Sequence, residues 1–246
     1  MALPKLDQPT FSVDLISQKK PVWYRPFLVK EHKILLMALE SGEMKDILNA
    51  IKQIMRNCIV DDVDVDSFPT IDLEMMFINL RARSIGEIVD LRYKCNHVIG
   101  EEAAQCGQPF TINIDLLKDI SVVNHNISNK IELTSDIGLV MKLPTTKIIE
   151  EFALREDDPS QESIDDINLA VECIDYIYDK NGVYYAKDAS KEELFEFISN
   201  LTKDQFSSME QFFKSIPNIY AEKQHTCIKC GFEHKVRLEG IADFFM

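Results

Sequence analysis

The sequence predicts an α+β fold, on three observations. Two cysteine pairs, Cys95 with Cys106 and Cys227 with Cys230, are each followed by a glycine and flanked by strand-like alternation. Amphipathic segments of helical period fill much of the N-terminal part. An acidic stretch, also of helical period, lies between the pairs. The expected organisation is an N-terminal α+β domain with the first half of a cysteine module over residues 1–143, a helical acidic insertion over 144–223, and the second half with a C-terminal tail over 224–246.

The elements follow in order. Phe11, Val13 and Leu15 alternate as a strand, Ser17-Gln18-Lys19-Lys20 turns, and Val22 to Phe27 returns as a second strand. Pro26 cannot donate to a ladder, so this end is an edge or a strand exit. A helix is expected from Val29 to Leu39, broken by Ser41-Gly42. The next runs from Met44 to Cys58, with Ile47, Leu48, Ile51, Ile54, Met55 and Cys58 at spacings of three and four. Asp61-Asp62-Val63-Asp64-Val65-Asp66 lacks the glycine and terminal glutamate of an EF-hand loop and reads as a solvated acidic loop. Thr70 to Ala82 is a third helix, with Leu73, Met76, Phe77 and Leu80 inward. A strand then leads from near Glu87 into Cys95, and Phe110 to Leu116 alternates beyond Cys106.

A cysteine pair on a hairpin with glycine behind it reads as half of a zinc ribbon. The glycine takes the positive backbone angle of the turn, so that amides point at the thiolates. Two halves, with 120 residues between Cys106 and Cys227, would make one tetrahedral site of Cys95, Cys106, Cys227 and Cys230. Its zinc would be structural, because four thiolates leave no position for a substrate water. The ten residues between Cys95 and Cys106 are not a standard knuckle, and His97 offers itself as a substitute ligand. Two other readings stand beside zinc. One is four free thiols in a reducing compartment. The other is a redox Cys-x-x-Cys, which ordinarily opens a helix, whereas β-type alternation over 234–239 follows here. Cys58 and Cys173 lie in helical apolar patterns and read as small core residues.

Between the pairs, Lys130 to Leu143 reads as two short strands around Ser135-Asp136-Ile137-Gly138. Thr145 caps a helix through Leu154, and another is expected from Ser163 to Tyr178. From Glu150 to Asp175 ten acidic residues face the lone basic Arg155, a net −9 of the chain's −14. That run reads either as a partner-facing surface or as a solvated helix face. Asn181-Gly182 signals a tight hairpin. Ser190 with Glu193 and Thr202 with Gln205 are capping boxes for helices ending near Asn200 and Ser215.

Composition narrows the function classes. No apolar run approaches a membrane span, and no signal peptide is expected at the N-terminus. The charge of −14 argues against a grip on nucleic acid, whose affinity comes largely from phosphate neutralisation. There is no P-loop, no dinucleotide-binding glycine pattern, no Gly-x-Ser-x-Gly and no His-Glu-x-x-His. A zinc deaminase would need His-x-Glu ahead of Pro-Cys-x-x-Cys, and Thr226 precedes Cys227 here. A non-enzymatic protein is expected.

Pro9-Thr10-Phe11, Tyr24-Arg25-Pro26-Phe27-Leu28-Val29-Lys30-Glu31 and Lys33-Ile34-Leu35-Leu36-Met37-Ala38-Leu39-Glu40-Ser41 resemble a small family from T-even-like contractile-tailed phages. Its members are baseplate hub subunits or baseplate hub assembly proteins. The resemblance continues through Leu80 to Glu87, Tyr93-Lys94-Cys95, Cys227 to Cys230 and Leu238 to Phe245. It implies work on the central hub of a contractile-tail baseplate, with hub proteins as partners, in the host cytoplasm during assembly or in the virion. It implies no catalytic residues. An assembly factor, acting like a chaperone, is the expected role, with a minor hub subunit as the alternative. A zinc-ribbon transcription adaptor is the alternative of another class. Such an adaptor displays basic residues, and Lys94, Lys229, Lys235 and Arg237 make only a thin patch. Oligomeric state is left open. Arg25 reads as solvated or as a partner contact, and Phe244-Phe245 as folded back on the core or as a docking tag.

Overall fold

The computed structural model describes residues 6–99, 104–123, 128–148 and 162–240. The chain forms two compact units, one from 1–65, 71–123 and 218–246, the other from 66–70 and 124–217. Apart from the short segment 66–70, the crossings fall at 123/124 and 217/218, and the sequence reading puts the domain boundaries at 143/144 and 223/224. Half of the ten acidic residues in the run, Asp157 and Asp158 among them, lie outside the described residues, as do Phe244 and Phe245.

In the first unit, alternation gives β1 (Phe11–Val13) and β2 (Val22–Tyr24), antiparallel with Phe11 opposite Tyr24 and Val13 opposite Val22. The backbone beyond β1 is pinned by a carboxylate. Asp72, fully buried in the first turn of a later helix, accepts the N–H groups of Ile16 (2.7 Å) and Ser17 (2.9 Å). At the end of the hairpin, Asp61 accepts the Trp23 N–H, which gives one acid of the Asp-rich loop a structural task.

Helices α1 (Val29–Ser41) and α2 (Met44–Cys58) follow and pack on each other. Gly42 ends α1 in the left-handed region. Leu28, at the N-cap of α1, has no side-chain acceptor, and Glu31 supplies the cap by accepting the Leu28 N–H at 2.9 Å. Arg25, read from sequence as solvated or as a partner contact, is engaged within the fold. Its guanidinium donates to Glu31 Oε1 (3.0 Å), Pro26 O (2.9 Å) and Asn57 O (2.8 Å). One arginine therefore ties the strand exit to the start of α1 and the end of α2. Ile51, Ile54, Met55 and Cys58 are fully buried on α2, as are Met76, Phe77 and Leu80 on α3 (Thr70–Ser84).

Strand β3 (Ile88–Lys94) pairs in antiparallel register with β6 (Pro109–Asp115). Between them lies a short hairpin, β4 (Val98–Ile99) against β5 (Ala104–Gln105). The sequence did not announce β7 (Ile120–Val123), which is too short to show a period. It pairs with β12 (Asn218–Thr226), which in turn pairs with β13 (Glu233–Glu239).

The second unit is not helical throughout. Its four-stranded antiparallel sheet has the order β11-β10-β9-β8, from β8 (Lys130–Glu132), β9 (Gly138–Met141), β10 (Ile174–Tyr178) and β11 (Val183–Tyr185). The helix expected through Tyr178 is α4 (Glu162–Glu172) and stops before Cys173. Ile174, Tyr176, Ile177 and Tyr178 favour a pleated surface, and the Asn181-Gly182 hairpin draws them into β10. Helices α5 (Lys191–Ser199) and α6 (Lys203–Lys214) start at the two capping boxes. Leu139, Met141, Ala170, Cys173, Ile174, Met209 and Phe212 are buried in one core cluster. Among the described residues, no helix is long and apolar enough to cross a membrane.

Burial pushes the Glu31 carboxyl up, but the Arg25 hydrogen bond, the Leu28 N–H and the charges of Arg25 and Lys30 outweigh it and hold it below the ordinary glutamate range. Glu31→Gln should cost roughly 2–3 kcal/mol at neutral pH, as expected when one partner of a buried charged hydrogen bond is removed. A lowered folded pKa means the contribution is present above the unfolded pKa and is lost as pH falls through the folded one. Urea denaturation across acidic pH should therefore show the gap between wild type and variant closing in acid.

Candidate metal centre

Strand pairing builds the centre from two hairpin ends. The β3–β6 ladder runs up to Lys94 opposite Pro109, and the Cys95 N–H then donates to Gln108 O at 2.8 Å. The Gly107 N–H returns to Cys95 O at 2.9 Å, and the Cys106 N–H to His97 O at 2.8 Å. In the other half, the β12–β13 ladder ends at Thr226 opposite Glu233. There the Cys227 N–H donates to Phe232 O (2.8 Å) and the Gly231 N–H to Cys227 O (2.9 Å). Gly107 and Gly231 have φ of 66° and 72°, the left-handed conformation that the two turns need. Cys227 and Cys230 thus sit in a turn between strands, and no helix starts there, unlike the expected setting of a redox pair.

The four sulfurs converge, and each close pair joins one half to the other. Cys95 Sγ is 3.6 Å from Cys230 Sγ, and Cys106 Sγ is 3.8 Å from Cys227 Sγ. All four lie within 4.8 Å of one another. A disulfide would bring two sulfurs to about 2.05 Å. A tetrahedral ion with metal–sulfur bonds near 2.3 Å would set them about 3.8 Å apart. These four cysteines could therefore hold a metal ion, and they are the one such group of His, Cys, Asp or Glu among the described residues. His97 does not belong to it: its ring stacks on Phe232 at 4.4 Å.

Backbone donors aim into the cluster. The N–H groups of Cys230 and then Lys229 hold the Cys227 thiol down to about 6, against the opposing effect of burial. Cys95 goes the other way: burial pushes it up to about 12, with the His97 N–H a partial offset. An ion that binds thiolates would supply the positive charge that so buried a sulfur lacks. Lys229 adds a tie between the halves, its Nζ donating to Cys106 O at 3.1 Å. By contrast, Cys58 and Cys173 are fully buried elsewhere, their thiols pushed up by burial to about 11 and about 12. They are core residues, as their apolar setting implied.

An aromatic wall stands beside the sulfurs, and sequence reasoning missed it. Phe110 packs against the cysteine cluster. It stacks on His225 at 4.3 Å with a 4° interplanar angle, and it meets His234 at 4.9 Å. His225 and His234 are register partners on β12 and β13. The signal that could have found them is their position: one histidine on each strand flanking the Cys-x-x-Cys turn.

The family profile described as "T4 bacteriophage base plate protein" matches residues 8–246. No curated protein and no solved structure matches the chain.

Protein purified without chelator should carry about one metal ion per chain, as one four-thiolate site requires. Cys227→Ser should lose the ion and lower Tm by on the order of 10 °C, because binding energy at such sites is folding energy. Cys58→Ala should keep the ion. Elemental analysis and thermal melts with and without chelator decide it; a metal-free wild type whose Tm ignores chelator would leave four free thiols.

Proposed function

The chain belongs to the T4 bacteriophage base plate protein family, and from that premise we propose that it is a non-enzymatic assembly factor for the central hub of the baseplate. The family match over nearly the whole chain supports a baseplate role, and the N-terminal and cysteine-flanking stretches that resemble hub proteins point that role to the hub. Four sulfur donors at zinc–thiolate spacing support a structural zinc, a closed site that braces the fold and leaves no position for substrate. An assembly factor acts by favouring a partner's binding-competent state, which needs no covalent chemistry.

Two observations favour a role as escort over permanent incorporation. The charge of −14 suits a protein that must remain dispersed before and after it acts. The edge strand β13 presents Glu233, Lys235, Arg237 and Glu239 as its exposed residues. Charges on an edge oppose the strand addition by which a lattice subunit would pair with neighbours. The partners are then hub proteins in the host cytoplasm. The acidic run from Glu150 to Asp175 is the surface that would steer a basic hub partner.

Quantitative mass spectrometry of purified particles beside infected-cell lysate tests the role. The protein should be present in lysate and absent from particles, and disrupting its gene should remove hubs. A fixed small copy number in the particle would instead make it a minor hub subunit. Steering has its own measurement. Association with a hub partner should slow as salt rises. Joint neutralisation of Asp157, Asp158, Asp165 and Asp166 should slow it likewise. A rate indifferent to both would reduce the acidic run to a solvated face.

A further inference from the structure

Next to the four sulfurs lies a side chain that reaches the centre without joining it. His234 Nε2 is 3.1 Å from Cys95 Sγ, across 139 positions of sequence. It is not one of the atoms that lie mutually within 4.8 Å, so it stands outside the sulfur cluster. Its ring is held on two sides. Phe110 lies 4.9 Å away at 30°, and Phe232 meets it edge-on at 4.9 Å and 73°. The Phe110 ring is in turn backed by His225. Swinging the ring nitrogen away from the sulfur would give up both of these ring contacts.

We infer that His234 is a positioning residue of the metal centre, its Nε2–H donating to the Cys95 thiolate. The inference rests on the metal reading above. A metal-bound thiolate offers only lone pairs, so the ring nitrogen facing it carries the proton. Cys95 is the sulfur that the ring reaches. Cys227, in the other half, takes N–H groups from Cys230 and Lys229. Cys95, buried to the same degree, takes the His97 N–H. A charged hydrogen bond from His234 spreads the thiolate's charge and fixes the direction of its lone pairs. Because β13 belongs to the second half and Cys95 to the first, this bond also holds the halves in register beside the ion.

The test uses the full chain loaded with zinc or with cobalt(II). His234→Phe keeps a packed ring and removes the donor, whereas His234→Gln keeps an N–H donor and removes the ring. Competition with a chromophoric chelator should show His234→Phe losing about 10–100-fold in zinc affinity, the usual effect of removing such a partner, with His234→Gln recovering part of it. The thiolate-to-cobalt charge-transfer band should move to longer wavelength in His234→Phe. Equal affinity and spectrum in His234→Phe and wild type would overturn the inference and leave the metal site standing. A loss in His234→Gln equal to or greater than that in His234→Phe would show that the ring's packing matters more than its donor, and would overturn it too. A wild type that takes up neither ion would overturn the metal reading, and this inference with it. A further measurement needs no variant: nitrogen shifts of the zinc-loaded wild type should place the His234 proton on Nε2, and a proton on Nδ1 would refute the donor role.

Discussion

Two sulfur–sulfur contacts set the architecture of the first unit. Cys95 meets Cys230 and Cys106 meets Cys227, so neither half of the module closes on itself. Each half contributes a hairpin end whose glycine turns the chain and aims amides at sulfur. Without an ion, four mutually close thiols gain little from one another, and burial raises the cost of charging them. With one, the same closeness becomes a coordination sphere. The long ladders β3–β6 and β12–β13 exist to deliver these ends to one place.

The helical part of that unit relies on a different device. Glu31 and Asp72 are both fully buried; Glu31 takes one backbone N–H, from Leu28, and Asp72 takes two, from Ile16 and Ser17. Asp72 receives the chain as it leaves β1, and Glu31 receives it as it enters α1. Unpaired, such carboxylates would destabilise the core by several kcal/mol. Paired, they specify where the hairpin ends and the helix starts, because only one geometry satisfies them. Arg25 couples Glu31 to the last turn of α2, so the Tyr24-Arg25-Pro26-Phe27 stretch is best understood as a joint between elements.

What the sequence revealed followed from physics that is local. The period of Ile47 to Cys58 marks α2 without reference to the rest of the chain, and the capping boxes at Ser190 and Thr202 mark α5 and α6. The four cysteines were legible because residue type and glycine spacing carry the turn chemistry. Pairing over long distance was not legible. β7 has four residues and owes its strand to β12, nearly a hundred positions away. Ile174 to Tyr178 continued an apolar pattern already counted as helix, and only neighbours in the sheet decide between the two. His225 and His234 look like two unrelated polar residues until the register sets them side by side under Phe110. Arg25 was ambiguous because an arginine's partners are chosen by tertiary structure.

The same register explains how a large second unit can sit between the two cysteine pairs. Val123 and Asn218, the first-unit residues that flank its 124–217 segment, are direct partners on β7 and β12. The chain therefore leaves the first unit and returns to it at neighbouring points, already fixed by strand pairing. The entropy of closing the intervening loop grows only with the logarithm of its length, about 0.6 kcal/mol per doubling. Additional chain there costs the cysteine centre little, provided it folds around its own core, as the cluster of Leu139, Met141, Cys173, Ile174 and Phe212 allows. The acidic residues are concentrated in this insertion, away in sequence from the sulfurs whose charging they would oppose. The acidic run and the sulfur cluster thus belong to different units of one chain.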